Sequence, residues 1–227
     1  MAVQLWDNAH PGIYIESDNA TFFSDATRAL NRIREGRAGA AMLKAIAARS
    51  LMSDETLTVT IVFDEYEQGS AATANITGFV RCNTELGRTQ EEIDFSDYVA
   101  GEGSSVTVRW HNTDRPYESG HKVAPFIVLA HEMVHAYHYI HGAAYRPEGD
   151  LESMSREGQF EIEDHEEART VGLGGYSNEA ISENAIRHEQ KKLRRKKNIF
   201  AKKKGTFKPR KVYGFLKLGE IVRKIRG

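Results

Sequence analysis

His131-Glu-Met-Val-His135 puts two imidazoles and a carboxylate into five consecutive positions. On a helix of 3.6 residues per turn, positions four apart share a face one turn apart. His131 and His135 can therefore aim at one metal ion while Glu132 stands beside them, able to face a water. His-Glu-x-x-His on a helix is the zinc metallopeptidase pattern, with the glutamate as general base. The preceding run, Pro125-Phe-Ile-Val-Leu-Ala130, is apolar and helix-compatible. Pro125 suits a first helical turn, where its missing N–H is no loss, and Gly142 suits the end. The bland alternative is a surface or core helix whose histidines are simply satisfied.

The third ligand decides the class. His141 stands ten residues after His131, the metzincin spacing, but position 138 is His where that motif needs a turn-forming Gly. If the helix continues, His141 falls about 80° round and about 15 Å along from His131, out of reach of the same ion. His138 shares the face but lies about 10 Å further along, and is expected as a partly exposed imidazole. A glutamate from a second helix is the other common solution, giving two His and one Glu with water in the fourth place. Glu166 and Glu167, about thirty residues downstream, both qualify. Adjacent acids are also ordinary on a solvated helix face, so spacing alone leaves the pair open.

Other elements must hold this helix in place. His10-Pro-Gly-Ile-Tyr-Ile15 reads as a short strand after a turn. Ser24 or Asp25 can cap a helix with Ala26, Leu30 and Ile33 inward, ended by Gly36-Arg-Ala-Gly39. A second helix is expected over 40–49. Leu57–Phe63, Ala74–Arg81 and Ser105–Trp110 read as strands, being rich in β-branched residues. After a polar loop from Arg146 to Gly158, 163–171 reads as helix, Gly172-Leu-Gly-Gly175 as a break and 178–197 as helix. The expectation is an α+β, zincin-like (gluzincin) fold with a small N-terminal sheet and the His-Glu-x-x-His helix. It forms one domain over 1–227, with a basic segment at 187–211 partly appended.

Composition excludes several classes. Among 227 residues, 40% hydrophobic, there is no apolar run of about 18 residues, so no membrane-spanning helix is expected. The first ten residues lack a basic start followed by an apolar core, so no cleavable signal peptide is expected. Cys82 is the one cysteine, which excludes an internal disulfide and a cysteine-rich metal site and suits a reducing cytosol. The net charge of −1 hides a strong asymmetry. Residues 187–227 carry 17 Lys and Arg against Glu189 and Glu220, leaving 14 basic and 30 acidic residues in 1–186. The basic end is expected near acidic surface, its own or a partner's.

Taken in order, His131-Glu-Met-Val-His135, Glu166-Glu-Ala-Arg-Thr-Val-Gly-Leu-Gly-Gly175 and Ser182-Glu-Asn-Ala-Ile-Arg187 resemble the NleD-type family of bacterial effector metallopeptidases. That family includes type III effectors and Rhs-associated toxin domains. The Pro-Gly-Ile-Tyr-Ile start and Pro209-Arg-Lys-Val-Tyr213 extend the likeness over most of the chain. A more distant similarity joins it to clostridial neurotoxin light chains, although Gly-Leu-Gly-Gly stands here where those toxins have Gly-Gly. By that resemblance Glu167 is the third zinc ligand and Glu166 supports the site from behind. Glu183 orients a ligand histidine or an arginine, and Arg210 and Tyr213 face the developing oxyanion.

The resemblance implies a zinc endopeptidase binding one Zn2+ per chain, with a protein substrate of a host or target cell, signalling kinases such as MAP kinases among them. It implies passage through a dedicated bacterial secretion system into another cell's cytoplasm, with nuclear entry open. The alternative is a basic-tailed module for nucleic acid or acidic surfaces with a non-catalytic metal site. Lys191-Lys-Leu-Arg-Arg-Lys-Lys197 and Lys202-Lys-Lys204 would carry that binding. Few aromatics interleave them, so nucleic acid is not favoured, and docking on the chain's own acidic half is the plainer account.

Overall fold

In the computed structural model the described residues are 1–52, 56–63, 70–74, 76–78, 81–82, 98–112, 115–116, 122–145 and 165–197. In chain order the elements are β1 (Ala2–Leu5), β2 (Ile13–Ser17), α1 (Ala20–Arg34), α2 (Arg37–Met52), β3 (Val59–Phe63) and β4 (Ala71–Ala74). A 3-10 turn at Ile76–Gly78 leads to β5 (Arg81–Cys82), β6 (Tyr98–Val99), β7 (Val106–Trp110), β8 (Arg115–Pro116) and β9 (Lys122–Val123). Then come α3 (Pro125–Ile140), α4 (165–171), a 3-10 turn at Gly174–Tyr176 and α5 (Glu183–Lys197).

Successive side chains of a strand point to opposite faces, and the main sheet uses this to build its core. Ile13 and Ile15, Val59 and Ile61, and Val106 and Val108 are all buried at alternate positions. The five strands run in the order β1-β2-β3-β7-β4. β2, β3 and β7 are parallel, while β1 and β4 pair antiparallel at the two edges. Parallel neighbours need long crossovers, and α1 with α2 form the one between β2 and β3. The layout is the α+β, zincin-like one expected, with the His-Glu-x-x-His segment on a helix.

Several boundaries differ from expectation, each for a local reason. α1 begins at Ala20, because Asn19 caps it: its Oδ1 accepts from Thr21 N at 2.9 Å and Phe22 N at 3.3 Å. Ser24 and Asp25 therefore fall inside the helix. The expected interruption at 36–39 is only a tight corner. A Cβ on Gly39 would lie 2.2 Å from the Ile33 carbonyl oxygen, so glycine lets α2 start at Arg37 against the end of α1. The strand expected over 74–81 is divided among β4, the 3-10 turn and β5. α5 starts at Glu183, with Ser182 Oγ accepting from Ala185 N at 3.2 Å, and not at 178. The loop expected at 146–158 lies outside the described residues.

α3 is central. Ile127, Leu129, Ala130, Met133, Val134, Ala136 and Ile140 have no exposed surface, and the helix packs on α1, α2, α5, β4 and β7. A helix covered on every side has no amphipathic stripe, so its polar residues are buried with the rest. Its C-terminal end is fixed as closely: Gly142 has φ +63, and a Cβ there would sit 2.3 Å from the Gly101 oxygen.

α5 braces the other helices. Glu189 Oε2 accepts from Ala38 N at 2.8 Å, satisfying a free donor at the start of α2. The next residue, Gln190, donates to the Arg32 carbonyl at 2.7 Å, near the end of α1. One helix thus closes both sides of the α1–α2 corner. Loss of such a cap costs roughly 0.5–2 kcal/mol. Glu189→Ala is expected to lower unfolding free energy by about 1 kcal/mol in urea denaturation. Glu189→Gln, which keeps the acceptor, is expected to lose less.

Candidate metal centre

His131 and His135 rise from α3 one turn apart, with ring centroids 4.8 Å from each other. Each ring has its Nδ1 engaged from behind. His131 Nδ1 lies 2.9 Å from Glu183 Oε2, and His135 Nδ1 lies 3.2 Å from Glu166 Oε1. Thr170 Oγ1 stands 3.3 Å from the same His135 nitrogen. A carboxylate behind Nδ1 fixes the tautomer that leaves Nε2 as the donor of a lone pair.

Both Nε2 atoms turn toward Glu167. His135 Nε2 is 3.1 Å from Glu167 Oε1, and His131 Nε2 is 3.5 Å from Glu167 Oε2. One donor atom from each of His131, His135 and Glu167 lies within 4.8 Å of the other two. Glu167 Oε2 is buried and, among the described residues, makes no hydrogen bond. A buried carboxylate oxygen without a donor, facing two imidazole nitrogens, is a cluster of lone pairs that a divalent cation fits. Two His and one Glu suit a zinc ion with one position open for water.

Glu166, adjacent in sequence, is committed elsewhere. Besides His135, its Oε1 lies 2.7 Å from His138 Nδ1 and accepts from Thr170 Oγ1 at 3.3 Å. Its Oε2 accepts from Tyr145 N at 3.0 Å. Neighbours on a helix are about 100° apart, so the two glutamates do different work. Burial alone would raise the Glu166 pKa, but the facing His138 and His135 outweigh it and hold the carboxyl well below the usual range. Burial opposes charge on His135 too, yet Glu166 and Glu167 hold its pKa well above the ordinary imidazole value. Glu167 is lowered against the cost of burial, chiefly by His135 and His131.

Glu183 is fully buried and held from the far side: Arg187 Nε donates to its Oε1, one turn along α5. Arg187 is itself only 3% exposed. A buried carboxylate needs such a partner, and the chain supplies the series His131, Glu183, Arg187 from two helices. Glu132 differs. It is 7% exposed, and among the described residues it has no hydrogen-bond or ion-pair partner.

Six of the eight candidate residues, His131, Glu132, His135, Glu166, Glu167 and Glu183, are thus brought together from α3, α4 and α5. The other two, Arg210 and Tyr213, lie outside the described residues. His141 is away from the group: it ends α3, with its Nδ1 2.8 Å from the Tyr137 carbonyl. His138 corrects the expectation of partial exposure. It is 2% exposed, because α3 presents no solvent face there, and it braces Glu166. Sequence reasoning also missed Thr170 and Arg187. Their signal was available as i, i+4 spacing from Glu166 and Glu183, the contact distance on a helix. The Tyr145 backbone donor carries no sequence signal.

Two solved Clostridium botulinum structures are similar to this chain. The serotype F neurotoxin light chain is 11% identical, covers 80% of this chain and 74% of its own, and has a TM-score of 0.39. The catalytic domain of the serotype F neurotoxin gives 12%, 80%, 73% and 0.37. No curated protein sequence matches the chain. The profile of the Peptidase_M91 family, described as effector protein, matches residues 10–203, and the chain belongs to that family.

Proposed function

We propose that this chain is a zinc-dependent endopeptidase acting inside a host or target cell. The observation that carries the reading is Glu132. This carboxylate is largely buried, has no partner among the described residues, and sits in the same helical turn as two imidazoles that converge on Glu167. Membership of a peptidase family described as effector protein supports it.

In this scheme His131, His135 and Glu167 hold the metal. Zn2+ held there would supply Lewis acidity, enough to lower the pKa of a water toward about 7. Glu132 takes the proton from the attacking water and delivers it to the leaving amine. Glu183 and Glu166 keep the two Nε2 atoms aimed inward, Arg187 and His138 standing behind them. Arg210 and Tyr213, three apart in sequence, are assigned to the oxyanion as hydrogen-bond donors. Delivery by a dedicated bacterial secretion system, and signalling kinases as targets, follow from the resemblance of the motifs to NleD-type effectors.

Three outcomes test this. Glu132→Ala is expected to abolish chelator-sensitive cleavage of host-lysate proteins, mapped as new N-termini, while the protein still holds about one zinc. Undiminished cleavage would overturn the scheme. Glu167→Ala is expected to lose bound zinc, measured by metal analysis, while Glu166→Ala retains it with weaker affinity; equal full retention would remove both from the site. Arg187→Met is expected to weaken zinc binding by roughly 10–100-fold in a competition titration. Arg187→Lys is expected to recover part of that affinity, because the charge facing Glu183 returns.

A further inference from the structure

Two carboxylates adjacent in sequence bracket one imidazole. Glu166 Oε1 lies 3.2 Å from His135 Nδ1, and Glu167 Oε1 lies 3.1 Å from His135 Nε2. The two side chains are chemically the same, and zinc accepts a carboxylate oxygen from either. A rotation of the His135 ring, or another Glu166 rotamer, would bring Glu166 toward the metal in place of Glu167. Some feature of the fold must break this tie.

Hydrogen-bond donors distinguish the two acids. An ionised carboxylate only accepts, with about four lone-pair sites on its two oxygens. Glu166 fills them: Oε1 faces His135 Nδ1, His138 Nδ1 and Thr170 Oγ1, and Oε2 accepts from Tyr145 N. Glu167 has an oxygen that accepts from nothing among the described residues. The shortest contact to Glu166 is the 2.7 Å one from His138. Because the carboxylate only accepts, His138 Nδ1 must carry the hydrogen. The mechanism above gives the His138 ring no step, and a phenylalanine would fill the same space in α3 without the cost of burying a polar ring. Thr170, fully buried one turn after Glu166, is the second donor outside the metal ligands and the backbone.

We propose that His138 selects the zinc ligand, holding Glu166 behind His135 so that Glu167 alone faces the metal; this deepens the reading above and rests on its metal centre. The selection works by exclusion. Glu166 has to give up His138 and Thr170 before it can offer an oxygen to a cation, whereas Glu167 gives up nothing of the kind. His138 is therefore a positioning residue that acts through Glu166. The same hold serves His135, because a Glu166 that cannot turn away keeps an acceptor behind Nδ1 and the Nε2 lone pair directed inward. Two separable effects follow, one on how tightly zinc is held and one on which glutamate holds it.

The test measures zinc affinity of the full chain by competition with a chromophoric chelator, with the folding of each metal-free variant checked by circular dichroism. His138→Phe keeps a ring and removes the donor, while His138→Asn places an amide N–H where Nδ1 stands. His138→Phe is expected to bind zinc about 10–100-fold more weakly, and His138→Asn to recover most of that loss. Glu167→Ala supplies the test of ligand choice. Adding His138→Phe to it is expected to tighten zinc binding at least about tenfold over Glu167→Ala alone, as the released Glu166 takes the open place. Adding Glu166→Ala as well is expected to cancel that gain. Parent affinity in His138→Phe, equal loss in the Phe and Asn variants, or no gain in the double variant would each overturn the proposal. Should His138→Phe fail to fold, Thr170→Val with Thr170→Ser as its rescue takes the place of the pair and is judged by the same outcomes. Wild-type protein is assayed for zinc and for lysate cleavage in parallel. Zinc binding without any cleavage overturns the endopeptidase reading and leaves the ligand selection standing; cleavage together with any of the three adverse outcomes overturns the selection alone.

Discussion

Most of the ionisable groups at the metal centre are buried, and the arrangement follows from how that is tolerated. α3 is packed on all sides, so His131, Glu132, His135 and His138 are buried with its apolar residues. Moving ionisable groups into such a place is unfavourable unless each finds a partner. α4 and α5 supply them: Glu166 answers His135 and His138, and Glu183 answers His131 while Arg187 answers Glu183. Among the described residues, Glu132 and one oxygen of Glu167 stay outside this pairing. They are the ones to which the proposed mechanism gives a proton and a metal.

This pairing also explains why three helices from distant parts of the chain meet. α4 serves His135 at both nitrogens, with Glu166 behind it and Glu167 before it, but His131 needs a second helix. α3 contributes imidazoles, whose Nδ1 and Nε2 atoms point to opposite sides. For His131 the two acceptors come from different helices, Glu167 from α4 and Glu183 from α5. The sheet and the α1–α2 corner matter because they fix where those helices run, through the close contact at Gly39 and the two α5 side chains that bond to the corner.

Much of this was legible in the sequence, and its limits are physical. His131, Glu132 and His135 were readable because a helix turns a five-residue spacing into a shared face. Spacing finds residues 166 and 167 without telling them apart, since which acid faces α3 depends on the rotation of α4, a tertiary quantity; only the resemblance of the motifs favours Glu167. His138 was misjudged because exposure was inferred from the helix alone, whereas α3 has neighbours all round. Strand existence was clearer than strand extent: β2, β3 and β7 sit close to their expected positions, while 74–81 broke up where the chain turns against the end of α3. The start of α1 was misplaced by choosing Ser24 or Asp25 when Asn19, one residue before the helix, had the same capping chemistry.

α5 behaves as a phase-locked rod. Glu183, Arg187 and Gln190 fall at i, i+4 and i+7, one stripe directed into the protein, and Glu189 flanks it. A single residue inserted between positions 183 and 189 would turn everything beyond it by about 100°. The brace on the α1–α2 corner would then be out of register with the contact on His131, and the block of cations would swing to another side of the molecule. Substitutions can be absorbed one at a time along such an element. Changes in its length cannot, so this stretch should admit variation in type at the positions between its contacts and almost none in residue count.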